Sequence, residues 1–287
     1  MLRHFLLRVI ACALVLAVSP ASMAATLALV TDLRGDAAIE GGSKPRALAI
    51  LAEIESGTRV RLQAQASLVA VYLASGTEYA IAGPALVEFA ERDVSVLSGR
   101  PASRRDSALG PAGKDIRIRP VGIAQGGIVL RGGATTPRIS LLSLDGTRSL
   151  EASPRFRWQG PEGSGAYRFE LSDSSGRMIY SAEGVSNELV LPAQVPLAAG
   201  AAYTWKIETR GADGRRHVAT GDFSVASAQL REQAQALRPA ADAPVAQRVA
   251  YAAWLEQVEL RDEARSYWKA LAAERPDDAR LKSLAAD

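Results

Sequence analysis

From Thr26 to about Gly99 the hydrophobic positions recur every second residue. Ala28 and Val30 lead to Gly35, Ala37 and Ile39 to the turn 40–43, and Val60 and Leu62 follow Gly57. Leu68–Leu73 runs to Ser75-Gly76, Tyr79 and Ile81 to Gly83-Pro84, and Leu86–Phe89 and Val94–Leu97 close the series. Short alternating runs bounded by glycine turns predict an all-β barrel, sandwich or roll. Residues 47–54, ALAILAEI, fit either a helix or a pair of extended segments, because a short apolar run has no decisive period. Residues 98–114 (SGRPASRRDSALGPAGK) carry Gly, Pro, Ser and Arg without periodicity and read as a linker or exposed loop. Its cluster Arg100, Arg104, Arg105 reads as solvated rather than as an anion contact.

Period two returns from Arg138. Residues 139–144 end at the tight-turn pair Asp145-Gly146, and the runs 156–158, 167–171, 178–180, 188–191, 203–208 and 221–225 follow, with Gly176 and Gly214 in turns. About seven such strands predict a sandwich. Phe156 and Trp158 share one face of their strand, as do Tyr203 and Trp205, so each pair can fill one layer between sheets. Core filling is favoured over a sugar-stacking platform because the alternate neighbours Arg157, Thr204 and Lys206 are polar. After Val225 the period becomes helical. Ser227–Leu237 is a short amphipathic stretch, and 245–258 and 262–275 are two helices, with Pro276 opening a third. Ala264, Trp268 and Leu271 lie on one face of the second, and Tyr251, Trp254, Leu255 and Val258 on one face of the first.

The fold class is therefore mainly β, with two β regions and a short C-terminal α-hairpin. The expected divisions are 1–24 leader, 25–99 first β domain, 100–137 linker with short strands, 138–226 sandwich, 227–242 linker or short helix, and 243–287 helical hairpin. The N-terminus carries Arg3, His4 and Arg8, an apolar run from Val9 to Val18, Pro20, and small residues Ser22 and Ala24. This is the pattern of a secretory signal peptide cleaved after Ala24, and ten apolar residues fall short of the roughly 20 that a membrane span requires. A periplasmic or secreted protein without a transmembrane anchor is expected. Residues 9–12, VIAC, resemble a lipoprotein box only loosely, since apolar residues continue past Cys12.

Removing residues 1–24 leaves 32 Lys+Arg against 31 Asp+Glu, so the formal charge falls from +3 to +1. No nucleic-acid partner is expected from that balance. Cys12, the only cysteine, leaves with the leader, so the mature chain has no thiol for a disulfide, metal ligand or nucleophile. One histidine, His217, remains, too few for a metal cluster or a Ser/His/Asp set. Glu53 and Glu55 form a carboxylate pair on one short segment, whereas glycoside hydrolysis places its two acids across a cleft. Residues 126–133 (GGIVLRGG) lack the lysine and following helix of a phosphate loop. No enzyme, cofactor or metal is expected.

Several motifs resemble known families. Gly35 with its alternating run to Ile39, residues 54–60 (IESGTRV), the strand before Ser75-Gly76-Thr77, and Ala82-Gly83-Pro84 resemble the FecR-type domain, with Ser75 in place of the family's usual Asp. That family implies relay from an outer-membrane receptor to a cytoplasmic sigma factor. Here only a leader stands before the domain, so an interaction role in the envelope is what the resemblance implies. Pro154-x-Phe-x-Trp158, Tyr167-x-Phe-x-Leu171, Gly200-x-x-Tyr203-x-Trp205 and 223–225 resemble fibronectin type III-like modules, in which the two tryptophan-bearing strands face each other. Ala264-x-x-x-Trp268 before Pro276 resembles the second helix of a tetratricopeptide repeat. One repeat cannot bury its own face, so the hairpin must pack on the sandwich, a second copy or another protein.

The expected function is a non-enzymatic periplasmic protein-interaction, scaffold or sensor protein of the bacterial envelope. Tyr251, Trp254 and Trp268 are the candidates for docking another envelope protein, since large aromatics dominate interfaces. Binding of an envelope glycan, peptidoglycan or exopolysaccharide, is the alternative. It needs exposed aromatics on one face, with Tyr72, Tyr79 and Tyr180 as candidates.

Overall fold

The computed structural model describes residues 26–41, 44–107 and 138–286. The leader, including Cys12, and the glycine stretch 126–133 lie outside these residues. Ten strands build the first unit. They are β1 (Thr26–Arg34), β2 (Ala37–Glu40), β3 (Arg46–Ala47), β4 (Glu53–Glu55), β5 (Thr58–Leu62), β6 (Ser67–Tyr72), β7 (Thr77–Ala82), β8 (Ala85–Phe89), β9 (Val94–Ser98) and β10 (Ser103–Asp106). They form two five-stranded antiparallel sheets, β10-β7-β6-β1-β4 and β3-β2-β5-β8-β9, around one core. In β8 the first, third and fifth residues are buried and the two between are half-exposed, as period two demands.

The run 47–54 resolves as extended backbone at both ends, in β3 and β4, joined by a turn in which Leu51 takes a φ of 63°. At the β6–β7 turn Gly76 has a φ of 68°, which an L side chain rarely adopts. In the same turn Ser75 Oγ accepts the Thr77 N–H at 3.2 Å.

Residues 103–106, expected within a linker, form a strand instead. Residues 103–106 pair with β7 and close the first sheet. Arg105 forms an ion pair with Glu78, whose side chain is buried. A buried carboxylate requires such a partner, so one member of the basic cluster is part of the β unit.

The second unit contains β11 (Ser140–Leu141), β12 (Thr147–Ser149), β13 (Arg155–Gln159), β14 (Tyr167–Asp173), β15 (Met178–Val185), β16 (Glu188–Val190), β17 (Ala202–Arg210) and β18 (Arg216–Val225). Sheet β11-β13-β16 packs on sheet β12-β18-β17-β14-β15 around one core, a two-sheet sandwich. The two tryptophan-bearing strands face each other as expected. The ring centres of Phe156 and Trp205 are 5.2 Å apart and those of Trp158 and Trp205 are 6.1 Å apart. Trp205 Nε1 donates to the Leu144 carbonyl at 2.7 Å, which ties the first loop of the unit to its centre.

Among the described residues four helices follow: α1 (Ala228–Leu237), α2 (Val245–Gln257), α3 (Arg261–Glu274) and α4 (Ala279–Ala286). Ser227 caps α1 by accepting the Leu230 N–H. No described helix is long and apolar enough to cross a membrane.

Candidate functional site

The helices do not stand apart from the β units. α2 is buried on nearly every side, from Val245 to Leu255, and an all-round apolar helix belongs in an interior. Alanines 246, 250, 252 and 253 keep it narrow enough for close neighbours. Its core also takes in Ile50, Leu33, Leu51 and Leu73 of the first unit and Leu150 of the sandwich. The helical layer thus fills the seam between both β units.

The turn between α2 and α3 is bonded into the sandwich. The Glu259 carbonyl accepts from Arg148 N at 2.7 Å and from Thr147 Oγ1 at 3.0 Å. Thr147 Oγ1 accepts in turn from Arg261 N at 3.0 Å. The first turn of α3 adds Asp262, whose carboxylate accepts Leu144 N at 2.7 Å, and Glu263, which accepts Leu150 N at 3.4 Å. Both are acidic groups at the positive end of a helix, where the dipole favours them. Burial nevertheless pushes the Glu263 carboxyl above its usual range, with Asp262 and Glu151 adding in the same direction. Its Oε2 has no hydrogen-bond partner. A shallow cleft of about 310 Å³ lies beside this joint, lined by Thr147, Tyr203, Thr204, Asp222 and Glu259.

The far end of α3 reaches the first unit. Arg275 makes a two-pronged ion pair with Asp32 of β1, at 2.5 and 3.2 Å, and also donates to the Leu33 carbonyl at 3.4 Å. Both side chains are largely buried. One helix is therefore tied to the sandwich at its N-terminus and to the first unit at its C-terminus.

The docking candidates lie inside this layer. Tyr251, Trp254 and Trp268 are only 2, 3 and 1 % exposed. Tyr251 donates to the Ala234 carbonyl at 2.9 Å and its ring stacks on Trp254 at 5.7 Å. Trp268 Nε1 donates to Glu256 at 3.3 Å. As placed, these rings are core and offer a partner no surface, which corrects their reading as docking residues. An amphipathic stripe has the same sequence whether its own chain or another protein covers it.

The glycan candidates are corrected in the same way. Tyr72 and Tyr79 are 2 and 4 % exposed and contact each other at 5.2 Å within the first core. Burial pushes the Tyr72 hydroxyl far up, with Tyr79 and Asp93 adding to it, and it donates to the Ala90 and Asp93 carbonyls. Tyr180 is half-buried against Phe169 on the sandwich, on a different unit from the other two. No common stacking face brings the three together.

His217 lies on β18, its Nε2 3.8 Å from Asp213. Glu53 accepts from Thr26 at 2.6 Å, whereas Glu55 is exposed. Among the described residues no group of three or more His, Cys, Asp or Glu is placed to hold a metal ion. Exposed apolar side chains occur at Leu97, Leu142, Met178, Val190 and Val218, positions that the sequence reading did not single out. Leu97 lies at the register shift between β8 and β9, on the outward side of β9 with Ser95.

No family model matches the chain, and no curated protein matches it. Among solved structures it is similar to CopC from Methylosinus trichosporium OB3b, with 20 % identity, 32 % of this chain and 96 % of that chain covered, and a TM-score of 0.25. It is similar also to the fn3 domain of the human collagen alpha-1(XX) chain, with 16 % identity, 39 % and 91 % covered, and a TM-score of 0.24. Each likeness spans less than two-fifths of this chain, and at these scores neither bears on its function.

Proposed function

We propose that this chain is a non-enzymatic interaction protein of the bacterial envelope, a scaffold or sensor with a FecR-type first unit, a fibronectin-like sandwich and a tetratricopeptide-like helical layer. The observation that supports this reading is the helical layer itself, which contacts both β units and ties them through Asp262, Glu263 and Arg275. An assembly whose polar investment goes into joining modules suits the presentation of surfaces to other proteins. The secretory leader pattern supports a periplasmic or secreted location. Burial of Tyr72 and Tyr79 removes the feature on which the glycan alternative depended.

The test places a photo-crosslinking amino acid at each of the exposed positions Leu97, Leu142, Met178, Val190 and Val218 in cells. Discrete adducts with one envelope protein, confined to neighbouring positions, are the expected result. Co-sedimentation of the purified protein with peptidoglycan or exopolysaccharide, abolished by Tyr180→Ala, would instead make it a glycan binder. N-terminal sequencing of the exported form checks the leader, with Ala25 expected as the first residue.

A further inference from the structure

The two attachments of the helical layer differ in kind. On the sandwich side the chain is continuous through Ala226 and Ser227, and the backbone and side-chain bonds around Thr147, Glu259 and Asp262 reinforce it. On the first unit the contact is an apolar face formed by Leu33, Ile50, Leu51 and Leu73, with the Asp32–Arg275 pair as its polar tie. Covalently, the first unit reaches the sandwich only through residues 108–137. Thirty residues extend to about 100 Å at most. Docking is therefore an intramolecular binding event.

We propose that this face of the first unit is a helix-recognition site held in cis by α2 and α3, and that its release opens it to an amphipathic helix of a partner protein. The chemistry of the partner follows from the present occupant. It should present small and aliphatic side chains on the docking face and an arginine placed to meet Asp32, because a two-pronged guanidinium–carboxylate pair is directional and a lysine does not reproduce it. The contact is autoinhibitory: the chain's own helices fill the site until something competes. This rests on the reading of the chain as an interaction protein and names its partner class.

The experiment uses the full mature chain. Arg275→Glu sets two carboxylates against each other at a largely buried position and is expected to raise the open population on the order of a hundredfold. Small-angle scattering should show a larger radius of gyration, with the far-ultraviolet circular dichroism of both β units retained. Combining Arg275→Glu with Asp32→Arg should restore the compact form. The probe for the opened site is a labelled synthetic peptide copying residues 245–275. It should bind an Arg275→Ala variant, which keeps Asp32 free, at least a hundredfold more tightly than wild type.

Unchanged scattering from Arg275→Glu would overturn the clasp. So would loss of strand signal, since the contact would then be an inseparable part of the first core. Expansion without peptide binding up to millimolar concentration would overturn the recognition site. None of these readouts uses a cellular partner, so the clasp can fail while crosslinking still supports an interaction role, and the reverse.

Discussion

Replacing Trp268 with alanine separates a core ring from a docking ring. The side chain is 1 % exposed, on the face of α3 that also buries Ala264 and Leu271. A buried aromatic of this size removes roughly 150–250 Å² from water, and at about 25 cal/mol per Å² that is on the order of 4–6 kcal/mol for the whole side chain. Alanine keeps the β-carbon and the surroundings relax in part, so a loss of about 3–5 kcal/mol is expected. The bond from Nε1 to Glu256 is a minor share, about 1 kcal/mol, which Trp268→Phe isolates. Urea unfolding followed by far-ultraviolet circular dichroism measures the change. In a cooperative unit of about 150–250 residues each kcal/mol shifts Tm by about 2–4 °C, so a fall of roughly 6–20 °C is expected. A helical layer that melts alone should give a new early transition instead. A loss below about 1 kcal/mol would refute the buried placement and return Trp268 to the docking candidates.

Glu263 should impose a pH dependence of unusual sign. Its folded carboxyl takes up a proton at higher pH than its unfolded one, so between its raised value and the ordinary range the folded state binds more protons, and this group's contribution to stability falls as pH rises. Glu263→Gln should raise Tm at pH 7 and flatten that window in unfolding scans; a lower Tm at pH 7 would contradict it. Arg105→Leu leaves the buried Glu78 without its partner and should destabilise the first unit by about 1–3 kcal/mol, with Glu78→Gln in the same chain recovering most of the loss in urea unfolding. Gly221→Ala would place a β-carbon 2.6 Å from Trp205 Nε1 and 2.9 Å from a methyl of Leu141. Overpacking of this kind should reduce sandwich stability by about 1–3 kcal/mol, readable as a changed tryptophan emission and an earlier midpoint.

Local periodicity determined much of this fold. The alternating runs became the strands of the β units because a strand with one buried face must read that way, and the aromatic pairs Phe156/Trp158 and Tyr203/Trp205 each lie on one buried strand face as their spacing required. The boundaries of α2 and α3 fell within a residue of the periodic reading. Tertiary structure decided the rest. Residues 103–106 look like a linker until β7 pairs with them and the buried Glu78 calls for Arg105, a requirement set by a residue distant in the chain. The run 47–54 had no decisive period and was settled by its neighbours. The apolar faces of α2 and α3 announced burial without naming what covers them, although the nearly unbroken stretch 249–255 was already a signal of burial on every side. Only the folded arrangement brings Asp32 to Arg275 and Leu144 to Asp262. Pairings across more than a hundred residues depend on the shape of the intervening chain, which no local pattern encodes.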